Sequence, residues 1–198
     1  GGLTIGSATH LAEVVVDGSI DTSSTVTAGV IRLLSDANVA VDGSMTNAVE
    51  TALVSSNGNI LVSGSLTSGL NLTLQALAGN IHFRDGLVLT SGAGNILLNT
   101  TGAIAGTGDA TFNTATGLLA STDISMSGNI LVNVDLLDIQ KNITTTGGNL
   151  TITSANPVTI NPNVLLSAAQ TLDMPAFAAN GNLFITGGNG VILRGEST

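Results

Sequence analysis

The sequence predicts an all-β chain wound as a parallel β-solenoid, and three observations predict it. Glycine-centred elements return at intervals near 20 residues, short apolar-polar alternations fill the intervals, and large aromatic rings are almost missing. A strand-turn-strand unit of about 20 residues cannot bury its apolar side alone. Stacking equivalent units buries it and pairs each strand with its counterpart one turn on, at about 4.8 Å. An antiparallel sandwich also has short strands and frequent turns. Nothing in a sandwich requires the same dipeptide to return at a near-constant interval.

Composition sets the kind of core. Hydrophobic residues make up 43% of the chain, but aromatics only 2% and charged residues 9%, against an ordinary charged share of about 25%. Trp, Tyr and Cys are absent, and there are 25 Gly. Such a chain must fill thin layers with small aliphatic side chains and stay solvated through hydroxyls and amides. β-Branched residues favour strands, while Gly and Asn supply turns.

Two ladders of repeats carry the period. An aliphatic-x-Gly-Ser-aliphatic element appears at Val16–Ile20, Val41–Met45 and Val62–Leu66, with starts 25 and then 21 residues apart. A degenerate copy, Phe83-Arg84-Asp85-Gly86-Leu87, follows after another 21. A Gly-Asn element then begins at Gly58, Gly79, Gly94, Gly128, Gly148 and Gly181, in steps of 21, 15, 34, 20 and 33. The two long steps are read as hiding degenerate copies, around Thr111–Asn113 and Asn163–Leu166. The 15-residue step is either a short coil or a Gly-Asn on a different side. The resulting expectation is a single domain over residues 1–198, of about nine coils with a roughly 20-residue period.

Between the punctuation the local pattern is strand. Asn71-Leu72-Thr73-Leu74, Asn149–Thr153 and Pro157–Ile160 alternate apolar and polar residues, the period of a half-buried strand. Helix is conceivable only at Val49–Val54 and Ser167–Leu172, two short segments without caps.

Charge and hydropathy remove several functional classes. A net charge of −9, with Arg32, Arg84, Lys141 and Arg194 scattered along the chain, argues against nucleic acid, which needs clustered cations. No apolar run approaches the roughly 20 residues of a membrane-spanning helix, so no membrane insertion is expected. Without cysteine there are no disulfides or thiolate metal sites.

The pattern Gly-Asn-(Ile/Leu)-x-(Leu/Val/Ile)-x-(Thr/Ser)-x-Gly with a following aliphatic, as in Gly94–Ile104, resembles the repeats of filamentous haemagglutinin-type adhesins. These are large bacterial proteins exported by two-partner secretion. The resemblance runs from about Asn57 to Gly195, and more loosely before that. It implies a single-stranded right-handed parallel β-helix, an extracellular or bacterial cell-surface location, and a role in cell attachment. No stretch resembles the secretion domain and the chain opens mid-pattern, so an internal piece of a longer rod is expected.

The six Gly-Asn pairs read as structural turns, with Gly supplying positive φ and Asn59, Asn80, Asn95, Asn129, Asn149 and Asn182 forming a hydrogen-bonded ladder. Gly106-Thr107-Gly108-Asp109 approaches the calcium β-roll nonapeptide, but its Asp falls one position early and one carboxylate cannot supply six to eight oxygens. Asp135 with Asp138, or Asp17 with Asp42, offer paired carboxylates for glycan chemistry, without the aromatic platforms such chemistry uses. His10 and His82 have no partner at metal or triad spacing. Thr151 and Thr153 suggest an ice-binding row that adjacent coils do not repeat. No cofactor and no metal are expected.

Alternation leaves one feature beyond architecture. If Ile60 and Val62 point inward, Leu61 points outward. The same logic places Leu97, Leu131 and Phe184 outward, with His82 and Thr151 at matching positions, as an apolar contact stripe. The expected function is therefore a non-enzymatic adhesive or spacer rod whose partner is a receptor or glycan on a host or neighbouring cell. The alternatives are a filament module that self-associates end to end or side by side, and a β-helical protein that binds or cleaves polysaccharide.

Overall fold

A computed structural model describes residues 2–24, 29–134 and 138–195. The chain is a parallel β-solenoid of about eight turns with a period of about 21 residues. Nine strands lie on each of two faces, so the expected nine layers correspond to eight full turns between first and last. Each coil visits three faces in order. The first face runs from Leu3–Gly6 to Gly117–Ala120, the second from Val14–Val16 to Leu183–Gly187, and the third from Ile20–Asp21 to Gly190–Arg194. A separate sheet, Asp138–Ile139, Val158–Ile160 and Phe177–Ala179, takes the place of the first face in the last coils.

Equivalent residues stack directly. On the second face Val39, Ile60, Ile81, Ile104, Ile124 and Ile143 form one continuous column. All are buried, because alternate residues of each short strand point into the core. The core is thus columns of like aliphatics, each inward side chain resting on its counterpart a coil away. Two rings interrupt this regularity: Phe83 and Phe112 meet edge to face with centroids 6.0 Å apart, the arrangement aromatic quadrupoles favour. Gly106 follows Phe83 in its column and leaves the room.

Neither segment with helical character is a helix. Thr51–Ser55 and Val164–Ala168 are strands, followed by the strand Thr171–Pro175. Stacking against neighbouring coils satisfies backbone groups that a short uncapped helix would leave open.

Small hydroxyls close the corners from inside. Ser55 Oγ donates to the Ala37 carbonyl at 2.6 Å and accepts from the Gly58 N–H at 2.9 Å. Ser35 does the same one coil earlier, donating to Ala12 O and accepting from Ala37 N. Ser68, Ser91, Thr114 and Thr145 are likewise buried and bonded to corner carbonyls. Each hydroxyl sits where an aliphatic would strand a buried carbonyl.

Candidate functional site

The Gly-Asn elements occupy all three corners of the coil rather than one. Asn59, Asn80 and Asn182 stand between the first-face side and the second face, Asn95 between third and first, and Asn129 and Asn149 between second and third. The uneven steps follow directly. The 15-residue step from Gly79 to Gly94 passes from one corner to another, so the different-side reading holds and the coil is not short. The stretch around Asn163 stacks on that around Asn182, and Thr111–Asn113 stacks beside Leu131–Asn133. The Gly-Ser and later Gly-Asn elements share a corner: Gly18, Gly43 and Gly64 begin the series that Gly128 and Gly148 continue.

At these corners a side-chain oxygen accepts the backbone N–H of the equivalent residue one coil on. Asn38 Oδ1 accepts from Asn59 N at 2.8 Å, Asn59 from Asn80 at 2.9 Å, and Asn80 from Ala103 at 2.8 Å. A second ladder runs from Asp85 to Asp109, Asn129, Asn149 and Thr171, at 2.9, 2.6, 2.9 and 3.0 Å. Asn71 joins Asn95, and Asp123 joins Asn142 and then Leu165. Asn182 is in none of these ladders; its carbonyl accepts from Asn163 N. Sequence reasoning missed Asp85, Asp109 and Asp123 because it looked for the ladder only at the Gly-Asn pairs. The signal was present: Asp109 and Asp123 stand directly before a strand at the register position where the next coil carries Asn, and Asp85 stands one residue earlier.

Five of the six glycines of these pairs are required by proximity, which corrects the expectation of positive φ for them, while Gly181 has a φ of +158°. Gly58, Gly79, Gly94, Gly128 and Gly148 are not among the positive-φ residues. A Cβ on Gly128 would lie 2.3 Å from Asp109 Oδ1, and one on Gly79 would lie 2.1 Å from the Gly58 carbonyl oxygen. At these glycines the coils approach so closely that no side chain fits beneath the next one.

We expect Asn129→Ala to lower stability by about 1 kcal/mol, since it removes the acceptor for Asn149 N–H. Asn182→Ala should stay within about 0.5 kcal/mol. Paired thermal melts check the contrast; equal losses would contradict the ladder assignment.

Asp109, the calcium candidate, has Oδ1 occupied by the N–H and side-chain amide of Asn129. Val16 and Val41 are in register, which puts Asp17 and Asp42 on neighbouring coils. Asp42 accepts from Ser63 Oγ at 2.8 Å and lies 3.5 Å from Arg84 Nη1. Asp135 lies outside the described residues, and Asp138 is described only as backbone, paired with Thr159. His10 and His82 are exposed, the latter in register with Leu61 and Ala105. Thr151 and Thr153 face outward on the third face, where Thr151 follows Leu131 and Thr153 follows Asn133. No group of three or more His, Asp or Glu able to hold a metal occurs among the described residues.

The apolar stripe does not exist as one line. Leu61 and Phe184 are on the second face, Leu97 on the first and Leu131 on the third. Alternation was read correctly, since the neighbours Ile60, Val62, Ile96, Leu98, Ile130 and Val132 are all buried. The error was one of phase: a Gly-Asn before each leucine suggested one corner where there are three. Leu61 lies between Ala40 and His82, and Leu131 between Thr111 and Thr151. Single half-buried leucines of this kind need no partner. Phe184, 54% exposed, stacks on Leu165 near one end of the rod.

Two surface features remain. A small recess at the seam between the first face and the sheet that succeeds it is lined by Leu118, Ala120, Ile139 and Lys141. A wider open groove follows the edge of the third face, lined by Thr90, Asn113, Asn133 and Thr153, with Ser91 and Ser154 beside them. The side-chain amide of Asn133 donates to Asn113 Oδ1 at 2.7 Å, and Thr153 donates to Asn133 Oδ1. The described lining of this groove is neutral throughout. Comparison with protein-family models, curated proteins and solved structures returned no match.

Proposed function

We propose that the chain is a non-enzymatic rod segment of a filamentous haemagglutinin-type bacterial surface adhesin, presenting its surface to a receptor or glycan on another cell. The observation that carries this reading is the unbroken register of nine layers on two faces. Eight steps of about 4.8 Å give a stiff spacer on the order of 40 Å long. Residue types support the same reading. Carboxylates at the corners serve as hydrogen-bond acceptors between coils, the use a spacer makes of them. Extracellular location follows from the resemblance of Gly94–Ile104 and its relatives to exported repeats.

Beads coated with the chain are expected to attach to cells above the level of bare beads, and coated beads that attach no better would overturn the adhesive role. The third-face groove favours a second reading, polysaccharide binding. A neutral row of hydroxyls and amides at coil spacing matches the donors and acceptors of uncharged sugars. Binding of neutral glycans that Asn113→Ala abolishes would support it.

A further inference from the structure

The third face carries a two-dimensional array of neutral side chains over six consecutive strands, and further strands of the same sheet cover both edges of this block. Alternation points two residues of each coil outward there. Register stacks one of them into the column Thr46, Thr67, Thr90, Asn113, Asn133 and Thr153. The other forms the column Val88, Thr111, Leu131 and Thr151. Within a column the step is about 4.8 Å, and two residues of strand set the columns about 6.6 Å apart. The pair Thr151 and Thr153 is not repeated residue for residue on adjacent coils, yet each column continues it in kind. Asparagine extends one column, and Val88 keeps the shape of threonine in the other. Leu131 is the one larger aliphatic.

These side chains face solvent without being spent on the protein. Among the described residues, the hydroxyls of Thr46, Thr67, Thr90, Thr111 and Thr151 have no protein partner, and each can donate and accept. Asn133 donates to Asn113 Oδ1 at 2.7 Å and Thr153 donates to Asn133 Oδ1, which ties these three into one row. Neither column has a charged member over these coils, although the chain carries a net charge of −9. Asp21 and Asp173 continue the columns only on the coils beyond.

The pattern selects its occupant. A charged side chain gathers its own hydration shell and breaks a regular water lattice, whereas neutral hydroxyls at fixed spacing fit one. Ice is uncharged, repeats in two directions across a crystal face, and offers a donor or an acceptor at every oxygen. Its shortest lattice repeat is close to the coil step. A glycan chain repeats in one direction only and needs a single column.

We propose that the third face binds ice, the free hydroxyls joining water at the crystal surface while the threonine and valine methyls fill the spaces between them. This goes beyond the adhesive rod and does not rest on it, because it needs neither receptor nor sugar.

Growth of single ice crystals in a solution of the chain tests this. The unaltered chain is expected to facet the crystals and to hold their freezing point below their melting point. Thr67→Lys and Thr90→Lys each place a charge inside the array and should lose both effects. Thr73→Lys, outward on the first face between Ala52 and Leu97, should keep them. Circular dichroism and thermal melts establish that each variant keeps the fold. Crystals that stay round, with no gap between freezing and melting, overturn the proposal. So does a loss in Thr73→Lys equal to that in Thr90→Lys. Binding of neutral glycan with no effect on ice overturns it too, and leaves the third face to the sugar reading alone.

Discussion

Gly64→Ala is expected to cost on the order of 3 kcal/mol or more, a loss reserved for contacts that cannot relax. A Cβ at Gly64 would stand 1.5 Å from the Gly43 carbonyl oxygen and 2.5 Å from its carbon. Both atoms are backbone, and the corner is held by the N–H groups of Gly43 and Gly64, which donate to Val16 O and Val41 O one coil back. Gly43 has the same relation to Gly18, at 1.8 Å. Gly43→Ala and Gly64→Ala should therefore both be severe. Gly86 provides the conformational control: its φ is +75° and its surroundings are open, so alanine there should cost about 1 kcal/mol through backbone strain alone. Thermal melts of the three variants separate the two causes. Equal losses at Gly86 and Gly64 would show that turn geometry, not stacking, selects glycine.

Phe112→Ala is expected to cost about 3–5 kcal/mol. Its side chain is wholly buried and packs edge to face against Phe83, with Leu89 and Val132 as its column neighbours. The chain has only four Phe, and the two buried rings thicken the core where Gly106 and Ala110 leave it thin. Alanine leaves a void that flanking coils cannot close without breaking register. Phe112→Leu should cost less, because leucine continues the run of Leu66 and Leu89 in the same column. Coils in a solenoid contact only their neighbours, so the damage should be local. Hydrogen exchange should quicken first in the coils around Ala110–Thr114, before those around Thr51–Ser55.

How legible this architecture was depends on the physical signal each feature leaves. Period-two alternation marks burial directly, so Ile60, Val62, Ile96 and Leu98 were assigned to the core correctly. The repeat spacing gave coil length for a similar reason, because register locks equivalent residues together. Corner identity leaves no such mark. All three corners bring a neighbouring coil to backbone distance in some coils and select Gly with Asn or Asp there, so the motif alone does not say which corner it turns. Hence Leu61, Leu97, Leu131 and Phe184 were placed on one line although they occupy three faces. The serine plugs were equally hard to see. Ser35, Ser55, Ser68 and Ser91 each follow an outward residue at an inward position, where alternation predicts an aliphatic and a corner carbonyl requires a donor.

The central claim is that successive coils stack in parallel register, and distances between spin labels test it most directly. Thr46, Thr67, Thr90, Asn113, Asn133 and Thr153 form one outward column on the third face. Labels at Thr46 and Thr153 are five coils apart and should be separated by about 24 Å, and labels at Thr46 and Asn113 by about 14 Å, at about 4.8 Å per coil. Distances that rise in proportion to the number of coils are the predicted result. A Thr46–Thr153 separation that is no greater than that of Thr46 and Asn113 would contradict the stacked register.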